Sequence, residues 1–92
     1  MVVITRHPAL IELLKDHGIT EAKVISHATE HDVRDEHVIG VLPLHLAALA
    51  AKVTVPVLDV PPSMRGLELS KSELETYFRG FESYRVELLK GK

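Results

Sequence analysis

The chain has no cysteine and no tryptophan, and aromatic residues make up only 4% of its 92 residues. Without cysteine, disulfide bonds and thiolate metal sites are excluded, which fits a reducing cytoplasmic compartment. The core must therefore be built from Val, Leu, Ile and Ala. A domain this small has little stability to spare, so association with a second copy would help it.

Long apolar runs and a surplus of basic residues are also missing. No segment approaches the roughly twenty apolar residues that a membrane helix needs, and Arg6 interrupts the apolar start too early for a secretion signal. A net charge of −2 disfavours a general binder of duplex DNA. No glycine-rich phosphate loop is present. We expect one cytoplasmic domain over residues 1–92 that binds neither membranes nor duplex DNA.

Strand and helix patterns alternate through the first half of the chain. The β-branched run Val2–Thr5 predicts a buried strand. Pro8 suits the first turn of a helix whose apolar residues recur at helical spacing, and Gly18 ends that helix. Ala22–Ser26 predicts a second strand. The polar stretch Thr29–Glu36 is interpreted as a surface loop.

The middle of the chain predicts a central strand that leads directly into a helix. His37–Leu42 is apolar on both faces, which is typical of a central parallel strand. Leu44–Lys52 predicts a short alanine-rich helix that can pack close to the sheet. Val53–Val60 predicts a fourth strand, in which Pro56 favours an edge position or a bulge.

The last third predicts an irregular loop and a long helix. Pro61–Gly66 forms the loop, and the capping-box sequence Ser70–Glu73 predicts that a helix begins near Lys71. Its apolar residues keep helical spacing as far as Leu88, so we expect the helix to extend that far. The tail Lys90-Gly91-Lys92 is expected to fray.

The predicted order β-α-β-β-α-β-α indicates a small α/β protein, a Rossmann-like three-layer sandwich with a mostly parallel sheet. Ligands of such sheets bind at the carboxyl ends of the strands. Three segments follow strands in this way: Thr5-Arg6-His7, Pro43-Leu44-His45 and Pro61–Gly66. Residues that are far apart in sequence are therefore predicted to converge on one edge of the sheet.

The residue types in these segments suit an anionic ligand. Arg6 could grip a phosphate group with two hydrogen bonds, and His7 could act as a general base, acid or donor. The alternative for both is a solvated helix entry. His45 lies in a first helical turn, where backbone N–H groups favour anions. The alternative is a histidine that serves packing.

Arg65, beside Gly66, could also reach a ligand, with Glu68 orienting its guanidinium group. A surface ion pair of little energetic value is the alternative. His27 to His31 spells H-x-x-E-H, a zinc motif that requires a helix. Because this stretch follows a predicted strand and enters a polar loop, we predict no metal site.

Three stretches, taken in order, carry a resemblance: Thr5–Ala9 with Gly18-Ile19, then Val38–Ala48, then Pro61–Ser70. Together they resemble the small CRISPR-associated proteins of type III systems that are grouped among the ring nucleases (the Csx group). The chain departs from that pattern at Val41, where threonine is common, and at His45, where asparagine also occurs.

The resemblance implies a fold related to CARF domains, a homodimer, and cyclic tetra-adenylate as the ligand. It implies metal-independent and cofactor-free cleavage by attack of a ribose 2′-OH, which ends antiviral signalling and leaves linear products with a 2′,3′-cyclic phosphate. The implied catalytic residues are Arg6, His7 and His45. The implied ligand-binding residues are Thr5, Arg6, Pro43, Leu44, His45, Leu46, Arg65, Gly66 and Glu68.

Two other functions stay open at this stage. A sensor or sponge would bind the same ring without cutting it. A structural dimer module would bind no nucleotide.

Overall fold

The structure is a computed structural model and describes residues 1–90. The expected fraying of Gly91 and Lys92 lies outside the described residues. One five-stranded sheet organises the chain in the order β2-β1-β3-β4-β5. The strands are β1 Val2–Ile4, β2 Lys23–Ile25, β3 His37–Ile39, β4 Lys52–Leu58 and β5 Phe78–Tyr84. The first four are parallel, and β5 is antiparallel to β4.

Short helices connect these strands and cover the sheet. They are α1 Pro8–Asp16, α2 Glu30–Val33, α3 Leu44–Ala47 and α4 Lys71–Tyr77, with a 3-10 turn at Pro62–Met64. The result is the predicted small Rossmann-like α/β sandwich with a mostly parallel sheet. Among the helices of residues 1–90, none is long and apolar enough to cross a membrane.

The core is aliphatic, as the scarcity of aromatic residues predicts, and it lies on both faces of the sheet. Successive side chains of a strand point to opposite faces. Ile39 therefore packs with Val3 and with Leu14 of α1, whereas its neighbour Val38 packs on the other face with residues of α2, α3 and β4. An apolar layer on each face thus stabilises the sheet.

The middle elements are shorter than the sequence predicts. β3 ends at Ile39 rather than Leu42, because Gly40 adopts a positive φ of 138°. α3 ends at Ala47 rather than Lys52. The Ala51 N–H group donates to the Glu36 carbonyl at 2.8 Å. That bond turns the chain into β4 four residues after the helix ends.

The prediction of a loop over Thr29–Glu36 was wrong for part of its length, because α2 forms there. The Thr29 side chain accepts a hydrogen bond from the Asp32 N–H group, and Asp32 accepts one from the Thr29 N–H group at 2.9 Å. Hydrogen bonds from the Thr29 backbone, and then from its hydroxyl, lower the pKa of Asp32. Val33 is fully buried and anchors the turn.

The long C-terminal helix was also predicted wrongly. The Ser70–Glu73 capping box starts α4 as expected, but the helix ends at Tyr77, and β5 follows at once. Gly80 has a φ of 110°, which suits an irregular strand and not a helix. β5 pairs along β4, with Ser83 opposite Thr54. The element order therefore ends in a strand.

Pro56 lies in an interior strand, since β4 is flanked by β3 and β5. The register of β4 with β5 shifts between Pro56 and Leu58. Proline in a sheet favours an edge strand or a bulge. Pro56 lies at a register irregularity and not in an edge strand.

Candidate functional site

The strand order fixes where a ligand site is expected. From β1 the chain runs to β2 on one side and then crosses back to β3 on the other side. In open α/β sheets, ligands bind at such a reversal, beyond the carboxyl ends of the strands. Thr5-Arg6-His7 follows β1, and Pro43-Leu44-His45 follows β3 after the short connection Gly40–Leu42. Two of the predicted segments therefore flank this point.

Gly40 sets the distance between these two segments. A Cβ atom on Gly40 would lie 2.5 Å from the carbonyl oxygen of Ile4. Only glycine permits that approach together with the positive φ. Gly40 is not among the predicted site residues, although a glycine at the end of an apolar strand is the signal for such a contact.

Arg6 turns toward the end of β2. Its Nη2 atom lies 2.8 Å from Nε2 and 3.0 Å from Nδ1 of His27. Both side chains are exposed. His27 was predicted only as part of the H-x-x-E-H zinc motif, and its contact with Arg6 was not predicted. The parallel pairing of β1 with β2 puts the two residues at the same edge of the sheet. Within residues 1–90, no group of three metal-ligand side chains comes together.

His7 lines a cavity of about 170 Å³. Its backbone N–H group donates to Thr5 Oγ1 at 3.1 Å, which fixes the turn between β1 and α1. The cavity is otherwise lined by apolar side chains: Leu10, Leu58, Val60, Leu67, Leu69 and Leu74. The loop that carries Arg65, Gly66 and Glu68 therefore packs beside His7 through its leucines.

Arg65, Gly66 and Glu68 are all exposed on that loop. Gly66 adopts a φ of 85°, so the loop turns sharply after the 3-10 turn. Between residues 1 and 90, no ion pair links Glu68 to Arg65. The structure thus leaves the Arg65 guanidinium group free of the orienting partner that the sequence suggested.

The predicted segment Pro43-Leu44-His45 begins α3. Leu46 and Ala47 donate their N–H groups to the Pro43 carbonyl at 3.0 and 2.9 Å. Within this helix, the N–H groups without an acceptor are therefore those of Leu44 and His45. Leu46 is buried in the core. Its side chain packs in the core, and its N–H group donates to the Pro43 carbonyl.

Leu44 and His45 face the C-terminal segment rather than His7. They line a cavity of about 440 Å³ together with the segment Val86–Leu89. Leu44, Leu88 and Leu89 are each at least 77% exposed. The predicted site residues thus share one edge of the sheet but make three separate contacts: Arg6 with His27, His7 with the leucine-lined cavity, and His45 with the C-terminal segment.

A polar chain lies away from this edge, across three strands. His37 Nε2 lies 2.7 Å from Thr54 Oγ1, which lies 2.8 Å from Ser83 Oγ. Thr54 is the buried member. Burial lowers the pKa of His37, and the charges of Lys52 and the N-terminal amine add to that effect. No sequence pattern indicates these two contacts, because they depend on the pairing of β4 with β3 and with β5.

Comparison with known proteins identifies one family. The model of a family described as "Putative CRISPR-associated protein (Cas_VVA1548)" matches residues 2–87. That match includes the five strands and the four helices. No curated protein and no solved structure matches the chain.

Proposed function

Because the chain belongs to this family of CRISPR-associated proteins, we propose that it binds and cleaves cyclic tetra-adenylate and so switches off type III CRISPR signalling. The observation that carries the proposal is the position of Arg6 and His7. They follow the strand at which the sheet order reverses, where ligands of this architecture bind.

The ring suits this edge electrostatically. Each of its four phosphodiesters carries one negative charge, and a guanidinium group binds phosphate oxygens with parallel hydrogen bonds. Arg6 precedes His7 in the chain, and Arg65 lies on the loop whose leucines line the cavity beside His7. Both arginines are exposed. Two copies of each arginine, one set from each protomer of a dimer, would match four phosphates by twofold symmetry.

Cleavage by this site needs positioning and proton transfer. The ribose 2′-oxygen attacks the adjacent phosphorus, the 2′-O–P bond forms, and the bond from phosphorus to the 5′-oxygen breaks. His7 accepts the 2′-OH proton, and the 5′-oxygen leaves with a proton from water or a second imidazole. Arginine stabilises the added charge on the phosphoryl oxygens. The products are linear and end in a 2′,3′-cyclic phosphate.

An exposed apolar surface supports the proposed homodimer. Leu44, Leu88 and Leu89 line one cavity yet remain mostly exposed. A second copy that covered them would remove this apolar surface from water. It would also bring a second α3 toward the ring.

The test is single-turnover cleavage with excess protein. Cyclic tetra-adenylate is incubated with the protein and EDTA, and the products are separated by chromatography. We expect linear products with a 2′,3′-cyclic phosphate, a rate constant lowered at least roughly 100-fold by His7→Ala, and no change with His31→Ala, which alters an exposed histidine on α2. An intact ring after long incubation would contradict cleavage. Equal rates for all variants would point to a contaminating nuclease.

One observation favours a second candidate, a protein that binds the ring without cutting it. His7 and His45 line different cavities, so one protomer does not present them as an acid–base pair. Calorimetry separates the two functions. Tight binding to a ring that stays intact selects the sensor or sponge.

A further inference from the structure

The contact between Arg6 and His27 joins two basic side chains from neighbouring strand ends. They are 21 residues apart in sequence. In the part of the chain that the structure describes, the ion pairs involve Arg34, Lys71, Arg79 and His17, and Arg6 is not among them. The guanidinium group therefore faces an imidazole and no carboxylate.

The hydrogen-bonding capacity of this pair is unbalanced. A guanidinium group carries five N–H donors and no acceptor, and a neutral imidazole has one acceptor nitrogen and one N–H donor. Arg6 Nη2 lies within 3.0 Å of both ring nitrogens, but only one of them can accept its proton. The remaining N–H groups of the two side chains are donors that lie close together. This arrangement suits an anion with several acceptor oxygens.

We propose that Arg6 and His27 together form a phosphate-binding site at the carboxyl ends of β1 and β2. A phosphate oxygen replaces the imidazole as the acceptor for Arg6, and the ring N–H group of His27 donates to a second oxygen of the same phosphate. When the phosphate is a phosphodiester of cyclic tetra-adenylate, this inference rests on the proposed function. The site then makes His27 a ligand-binding residue for that reaction.

The position of the pair supports this role. Thr5 donates its N–H group to Ile25 O at 3.1 Å, which continues the pairing of β1 with β2 up to the residue before Arg6. The two side chains therefore project from a fixed pair of strand ends. Because both are exposed, a phosphate can reach them without any rearrangement of the core.

The test is a double-mutant cycle on ring binding. Affinity for cyclic tetra-adenylate is measured by calorimetry for the wild type, Arg6→Ala, His27→Ala and the double variant. We expect each single change to weaken binding roughly tenfold or more, and the double variant to lose less than the product of the two losses. His27→Asn, which keeps an N–H donor, should recover part of the affinity. His31→Ala is the matched control and should bind as the wild type does.

A second measurement does not depend on the ring. Inorganic phosphate is titrated into the wild type, and the imidazole resonances of His27 are followed by NMR against sodium chloride at equal ionic strength. We expect His27 to shift with phosphate, with a smaller shift in Arg6→Ala. Circular dichroism confirms that each variant is folded.

The outcomes separate the two proposals. If the wild type binds the ring and His27→Ala binds it equally well, the phosphate site is overturned and the proposed function stands. If the ring does not bind but phosphate shifts His27, the proposed function fails and the site remains. If neither ligand has an effect, both are overturned. If the loss of affinity in the double variant equals the product of the two single losses, Arg6 and His27 act independently on binding. That result would contradict a phosphate shared by the two residues.

Discussion

Gly40 contacts the backbone of Ile4, so that a Cβ atom on Gly40 would lie 2.5 Å from the Ile4 carbonyl oxygen. Both residues lie at the carboxyl ends of neighbouring parallel strands. The contact therefore holds together the two segments that flank the proposed ring site.

Replacing Gly40 with alanine should lower the free energy of unfolding by at least about 2 kcal/mol, because it adds a backbone clash to an unfavourable φ. Gly18→Ala is the matched control. Gly18 also has a positive φ, 93°, but open space around its Cβ position, so we expect a loss of about 1 kcal/mol. Urea unfolding measures both. Equal losses would mean that the close approach costs nothing.

Thr54→Val should destabilise the protein through its two hydrogen-bonding neighbours. The valine keeps the shape but leaves His37 Nε2 and Ser83 Oγ without the hydroxyl that both contact. We expect a loss of about 1–3 kcal/mol in urea unfolding. Thr76→Val is the control, since the Thr76 hydroxyl donates to Ser72 O on an exposed part of α4. A loss no larger than that of the control would contradict the role of the polar chain.

The stability of the fold should fall as the pH drops below the ordinary histidine pKa of 6.5, in part because of His37. Burial, with Lys52 and the N-terminal amine, lowers the pKa of His37 in the folded state. As the pH falls, the unfolded chain therefore binds a proton at a higher pH than the folded protein does. Acid favours unfolding over that pH range, and neutral pH does not.

Urea midpoints at pH 7.5 and 5.5 test this expectation. His37→Gln keeps a polar partner for Thr54 but does not titrate, so the decline between the two pH values should be smaller in this variant. His31→Gln, at an exposed position on α2, should decline as the wild type does. An equal decline in His37→Gln and the wild type would remove His37 from the explanation.

Ser70→Ala should remove the cap of α4. The Ser70 hydroxyl accepts from the Glu73 N–H group at 3.2 Å, and the Glu73 carboxylate accepts from the Ser70 N–H group at 3.0 Å. We expect a loss of about 1 kcal/mol. Ser72→Ala, two residues along and exposed, should change the stability by less than about 0.5 kcal/mol. Hydrogen exchange in the first turn of α4 would locate the effect.

Local patterns predicted the elements whose cause is local. The β-branched run Val2–Thr5, whose first three residues are β1, Pro8 at the start of α1 and the Ser70 capping box each formed the expected structure. The T-x-x-D sequence at Thr29 is also a local cap, but its polar surroundings favoured a loop. The apolar residue Val33, which anchors α2 in the core, was the local sign against a loop.

The C-terminal strand could not be predicted from local spacing. Phe78, Phe81 and Tyr84 recur at intervals that suit a helix, yet they belong to β5 because β4 offers an edge to pair with. Gly80 was the one local sign against a helix.

For the site, the sequence predicted only those features that depend on the topology of the sheet. Positions after strand ends identified Arg6, His7 and His45 as edge residues. The direction in which each side chain turns depends on neighbours such as His27 and Leu67, and these are not visible in sequence spacing.

The late position of β5 in the chain has a consequence for synthesis. Residues 78–84 are synthesised after β4 is complete, so the edge of β4 that pairs with β5 stays unpaired until they emerge. Unpaired strand edges invite association with other chains. A message cut short before codon 78 would thus yield a product with that edge permanently open, prone to aggregation and a substrate for quality-control proteases.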